Sequence, residues 1–165
     1  MIASARRLVA LLLLSVNTAF AHDPALPLAE LTPGDVFSDV TVEQLSRVGY
    51  SKKARHVSEA LRQLVFAEYG IPFAARNDYE VDHLVSLALG GSNSILNLWQ
   101  ESLRLSIDGY DLGALTKDRL EAKLHWLVVS GQLDLKEAQN AIAMNWVDAY
   151  RKYIGELPRY TYEQE

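Results

Sequence analysis

Residues 79–99 read YEVDHLVSLALGGSNSILNLW, and their reading decides the fold. Asp82 and His83 sit together at the end of an apolar, alternating segment. Gly90-Gly91 and an Asn/Ser-rich stretch follow, and Asn97-Leu98 comes fourteen positions after the histidine. Adjacent residues on an extended strand point to opposite faces. For an acid and a histidine in tandem to reach one metal-and-water site, the backbone must bend. The Gly-Gly pair and the polar loop after it are the residue types such a bend and return require. The stretch therefore reads as a strand, a wide loop and a second strand near residues 97–101.

Working outward, Val57, Leu61, Leu64 and Val65 fall at helical spacing over residues 57–69, with Gly70 as the stop. Residues 71–78 read as a connector. Gly109, Gly113, Asp108 and Asp111 argue against regular structure over 102–116. Thr116 suits the N-cap of a helix running to about Ser130 and closed by Gly131. Asp134 with Glu137 makes a capping-box pattern for a last helix, about 135–154, ending at Gly155. Its face carries Leu135, Ala138, Ile142, Trp146, Ala149 and Tyr153. Trp99, Trp126 and Trp146 are expected in the core. The expected fold class is α+β and mostly helical, one hairpin covered by several helices, since a bare hairpin is marginally stable in water. Residues 22–40, with Pro24, Pro27 and Pro33-Gly34, read as an extended lead-in, 41–156 as a single domain, and 157–165 as a loose tail.

The 165 residues allow one modest domain with a real core. Arg6 and Arg7, the apolar run from Leu8 to Phe20, and Ala19-Phe20-Ala21 give residues 1–21 the pattern of a signal peptide cleaved after Ala21. That apolar run is short of the ~20 residues a membrane span needs. The expected location is thus periplasmic or secreted, with no membrane anchor after cleavage. The absence of cysteine excludes a lipid-modified cysteine and makes stability rest on packing alone. Removing Arg6 and Arg7 leaves 14 basic against 21 acidic residues, a formal charge of −7. That balance disfavours tight non-specific nucleic-acid binding, although local charge can differ from net charge. The one basic concentration is Arg47, Lys52, Lys53, Arg55 and Arg62, with Tyr50 among them as a possible stacking side chain. These five are the candidate nucleic-acid contacts. A merely solvated helix approach is the plainer alternative.

The ordered set Asp82-His83, Gly90-Gly91, Asn97 and Trp99 resembles the HNH (ββα-metal) endonuclease motif, and is similar to small exported bacterial members with a YEVDHL…LGGSN…NLW pattern. The resemblance extends over about residues 42–153. It implies a ββα-metal hairpin and a metal-dependent endonuclease that hydrolyses phosphodiester bonds of nucleic acid, with DNA the first expectation and RNA the second. It further implies His83 as general base, Asp82 as ligand of one divalent metal, and Asn97 as orienter of the histidine's loop. Mg²⁺ is the first expectation for the metal, with Mn²⁺ or Zn²⁺ as alternatives.

Two departures stand against this. Many such motifs close with a histidine or asparagine eight or nine positions after the central asparagine, where this chain has Leu105 and Ser106. The closing ligand must then come from elsewhere, and the helix beyond offers Asp118, Glu121 and His125 on one face. Asp118 is the first choice and His125 the second. A lysine-closing variant of the motif would match Lys117, and an ordinary solvated face carrying a Lys117–Glu121 pair is the alternative. Ser86 and Ala88 also stand where the family tends to show proline and glutamate. The competing reading is a catalytically silent HNH-fold module with a binding or structural role in the cell envelope.

Overall fold

The computed structural model describes residues 24–161, so the expected signal segment and the last four residues of the tail lie outside it. The fold is α+β, with two small antiparallel hairpins among helices. In chain order the helices are α1 (Val42–Leu45), α2 (Tyr50–Ala54), α3 (Glu59–Glu68), α4 (Ala114–Val129) and α5 (Leu135–Tyr153). The strands β1 (Tyr79–His83) and β2 (Leu98–Ser102) precede β3 (Ser106–Ile107) and β4 (Tyr110–Asp111). In the first hairpin Asp82 pairs with Trp99 and His83 with Leu98, so the expected strand, loop and strand are present.

The hairpin is covered from two sides. Val65 and Phe66 of α3 pack on Val81 and Leu98, and Phe66 meets Tyr79 and Phe73 edge-on. Ser58 caps α3 by accepting from the Leu61 N–H, and the chain leaves through Gly70 at φ +67°. Leu64, expected on the inner face, is 47% exposed, and Phe66 takes its place. On the other side the larger core joins Leu120, Leu124 and Val128 of α4 to Ala138, Ile142, Trp146 and Ala149 of α5. Val85 and Leu89 from the motif loop enter the same cluster.

Several local expectations require correction. Residues 106–111 form β3 and β4 because Asp108-Gly109, at φ +53° and +78°, makes a two-residue turn whose twist suits a hairpin. Thr116 is not the N-cap of α4: the helix begins after Gly113, and the Thr116 hydroxyl is buried within its first turn. Asp134 does cap α5, accepting from the Lys136 and Glu137 N–H groups. The Glu137 carboxylate turns away to Lys152 and Tyr153 rather than closing the box. Trp126 is half-exposed under the Lys123 ammonium, whereas Trp99 and Trp146 are buried. The described parts of the lead-in and of the tail are both tied to the domain. Ala25 is buried and its carbonyl accepts from Trp146 Nε1, and Leu157 is buried with residues 158–160 bonded to the β3–β4 turn.

Candidate active site

The loop between β1 and β2 is built around Asn97, which has no exposed surface. Its Oδ1 accepts from the Val85 N–H at 2.9 Å, and its Nδ2 donates to Val85 O at 3.0 Å and to Ser92 O at 2.9 Å. One side chain thus satisfies three buried backbone groups that the chain cannot pair locally. The two glycines serve different ends. Gly90 sits at φ +81°, the left-handed region, while a Cβ on Gly91 would lie 1.7 Å from Val85 O. The lead-in stitches this loop from outside, Gly34 N–H donating to Leu96 O and Ser92 N–H to Asp35 O.

His83 is 1% exposed, and its Nε2 lies 3.1 Å from Asn93 Oδ1. Backbone groups fix which way that amide points. Asn93 Nδ2 donates to Ala54 O at 2.8 Å, and Asn93 Oδ1 accepts from the His56 N–H at 3.0 Å. An oxygen can only accept, so His83 must donate through Nε2–H. The neutral ring then carries its lone pair on Nδ1, which has no protein partner among the described residues. Burial pushes the His83 pKa below its ordinary 6.5, against the Asn93 hydrogen bond and the Asp82 charge, which push it up. The ring is therefore neutral at pH 7 and basic at one defined nitrogen. Asn93 is a residue that sequence reasoning missed. Its only signal was membership in the polar loop.

Asp82 is nearly enclosed, with a cation on each oxygen. Lys117 Nζ lies 2.6 Å from Oδ2, and Arg55 Nη2 lies 3.2 Å from Oδ1. Burial raises the Asp82 carboxyl, but Lys117 and the His83 N–H outweigh it, so the net shift is downward and Asp82 is ionised. Lys117 has no exposed side-chain surface and uses its three donors on Asp82, Glu121 and the His83 carbonyl. Glu101 stands 3.6 Å from the same nitrogen. Burial opposes the Lys117 charge, yet three surrounding carboxylates hold its pKa well above the usual lysine value. Burial pushes Glu101 well up, and pushes Glu121 up to about 7.

These groups open on a cleft of about 190 Å³ lined by Ser51, Lys52, Arg55, Asp82, His83, Ser86, Leu87, Ala88 and Glu121. Two of the five basic candidates, Lys52 and Arg55, are thus brought to Asp82 and His83. Arg47 instead pairs with Glu43 on the surface, and Lys53 and Arg62 do not line the cleft. The expected acidic face of α4 is divided among three surroundings. Glu121 joins the Lys117 cluster, and Asp118 is exposed one residue beyond Lys117. His125 Nε2 lies 3.2 Å from the Leu45 carbonyl, in the α1–α4 contact.

Among the described residues no group of three or more His, Asp or Glu side chains is arranged to hold a metal ion. The donor set as folded does not fit a resident divalent cation. Both Asp82 oxygens face cations, and the Lys117 ammonium fills the space among the carboxylates. Comparison with known proteins adds no family: no family model, curated protein or solved structure gives a significant match to the chain.

Proposed function

We propose that this protein is an HNH-type phosphodiesterase acting on nucleic acid, with His83 as general base. The observation that carries the reading is the Nε2–H tautomer of His83, enforced by Asn93, which leaves Nδ1 unpaired on a residue that lines one cleft with Arg55 and Lys52. Phosphodiester hydrolysis needs a water deprotonated as its oxygen bonds to phosphorus. Nδ1 takes that proton, the bond from phosphorus to the leaving sugar oxygen breaks, and the leaving oxygen takes a proton from solvent water while the imidazolium returns its own to solvent. Arg55 and Lys52 are the cations available to the phosphoryl oxygens, despite the acidic balance of the whole chain.

Asp82 and Asn97 support the base without taking its place. Asp82 stabilises the imidazolium that forms on proton transfer, and Asn97 fixes the loop that carries Asn93. The exported location and DNA, ahead of RNA, as the nucleic acid belong to the same proposal, on the signal-like residues 1–21 and the motif resemblance.

The test is incubation of the purified protein with supercoiled plasmid and with RNA, in EDTA or with Mg²⁺, Mn²⁺ or Zn²⁺ added. Folded His83→Ala protein runs alongside. Cleavage by the wild type that falls about 100-fold or more in His83→Ala, the range general-base catalysis supplies, is expected. No cleavage under any condition by folded wild-type protein would refute the reading in favour of the silent envelope module.

A further inference from the structure

Three carboxylates, Asp82, Glu101 and Glu121, surround one point in the protein, and that point is the Nζ atom of Lys117. The ammonium is fully enclosed, and its three hydrogens are committed. It supplies the positive charge a metal would otherwise bring to such a cluster, and it has no donor left for a ligand. Arg55 differs. Its side chain is 42% exposed, it lines the cleft, and its planar fork has five N–H donors, of which the Asp82 contact accounts for one. Ser86 also lines the cleft, and its hydroxyl, buried, has no partner among the described residues. A divalent cation entering there would meet Arg55 and Lys52 as like charges and find the lining carboxylates already paired, Asp82 with Arg55 and Lys117 and Glu121 with Lys117, whereas an anion would meet Arg55 and Lys52.

We propose that Lys117 is the resident cation of this carboxylate cluster and that Arg55, anchored on Asp82, binds the phosphoryl group. The site then takes a phosphodiester without a divalent metal. This rests on the phosphodiesterase reading and stands as the alternative to the metal expectation that the sequence resemblance implied. Lys117 is a positioning residue, since it touches no substrate; Arg55 contacts the phosphate.

Two titrations of the purified protein test it. In the first, Mn²⁺ is added in a calorimeter to wild type, Asp82→Asn and Lys117→Met. Wild type is expected to bind no Mn²⁺ up to millimolar concentration, while folded Lys117→Met gains a site on the released carboxylates. Mn²⁺ binding by wild type that is lost in Asp82→Asn would overturn the proposal and leave the phosphodiesterase reading standing. The wild-type result decides this even if Lys117→Met does not fold. In the second, a labelled phosphorothioate oligonucleotide is bound in EDTA and followed by anisotropy. Binding is expected to weaken about tenfold in Arg55→Gln and to persist in Lys136→Gln, a surface control on α5. Binding that requires Mn²⁺, or that ignores Arg55→Gln, would overturn the proposal. No binding by wild type under any condition would overturn the phosphate assignment together with the phosphodiesterase reading.

Discussion

Replacing Asn97 by alanine removes one buried side chain and leaves three backbone groups, Val85 N–H, Val85 C=O and Ser92 C=O, without their partners. Each buried polar group left unpaired costs about 1–3 kcal/mol. Water entering the emptied space recovers part of that sum, so the expected loss is about 3–5 kcal/mol. This is a large fraction of the roughly 5–15 kcal/mol that holds a domain folded. For a domain of this size it lowers Tm by about 10–20 °C. The assay is urea denaturation of purified wild type and Asn97→Ala followed by circular dichroism, with exposed Asn77→Ala as control, expected within about 0.5 kcal/mol of wild type. Asn97→Asp gives an independent check: it turns a carboxylate oxygen toward two carbonyls, so its deficit at pH 7 should shrink as the pH falls and the carboxyl protonates. A loss of less than about 1 kcal/mol in Asn97→Ala would refute the claim that this side chain is the clamp of the loop.

Gly91→Ala should destabilise comparably or prevent folding, because its Cβ would overlap Val85 O and crowd Asn97 Nδ2; near-wild-type thermal melting would contradict the packing described. Asn93→Ala should cost cleavage about tenfold or more, and nitrogen chemical shifts should report a mixture of His83 tautomers in place of one Nε2–H form; an unchanged spectrum would dismiss the role of Asn93. The pH dependence of stability follows from two shifts of opposite sign. His83 has a depressed pKa, so its contribution is present above the unfolded value near 6.5 and is lost as the pH falls through the folded one. Glu121 is raised to about 7, so its contribution is present below its unfolded value and is lost as the pH rises through 7. Glu121→Gln should therefore gain Tm relative to wild type at pH 8 compared with pH 5, and an equal difference at both would count against the burial of that carboxyl.

The hairpin, its loop and the α5 stripe were legible because their signals are local: alternation, a glycine pair, a capping Asp134 and apolar residues at helical spacing. The short hairpin at 106–111 was legible in principle from Asp108-Gly109, but four polar or small residues close together read as a loop when each is weighed alone. Residue type alone places Trp126 in the core, and nothing in one sequence says which face of α4 meets α5. The site divides in the same way. Asp82, His83 and Asn97 stand at fixed spacings along the chain. Asn93, Arg55 and Lys117 reach His83 and Asp82 across ten, 27 and 35 positions, so only the folded chain brings them together. Lys117 is the sharpest case, a lysine paired with Glu121 four residues on, which in sequence is indistinguishable from a solvated surface pair and in the fold is fully buried.

The most direct measurement of the central claim is chemical rescue of the base. His83→Gly empties a buried site of imidazole size beside Asp82, and cleavage of a labelled duplex by this variant is measured with imidazole added at increasing concentration. The account predicts that the variant loses about 100-fold or more in rate and that imidazole restores at least tenfold, with the rescue following the neutral form of imidazole as pH varies. Wild-type rates in His83→Gly without imidazole would contradict it.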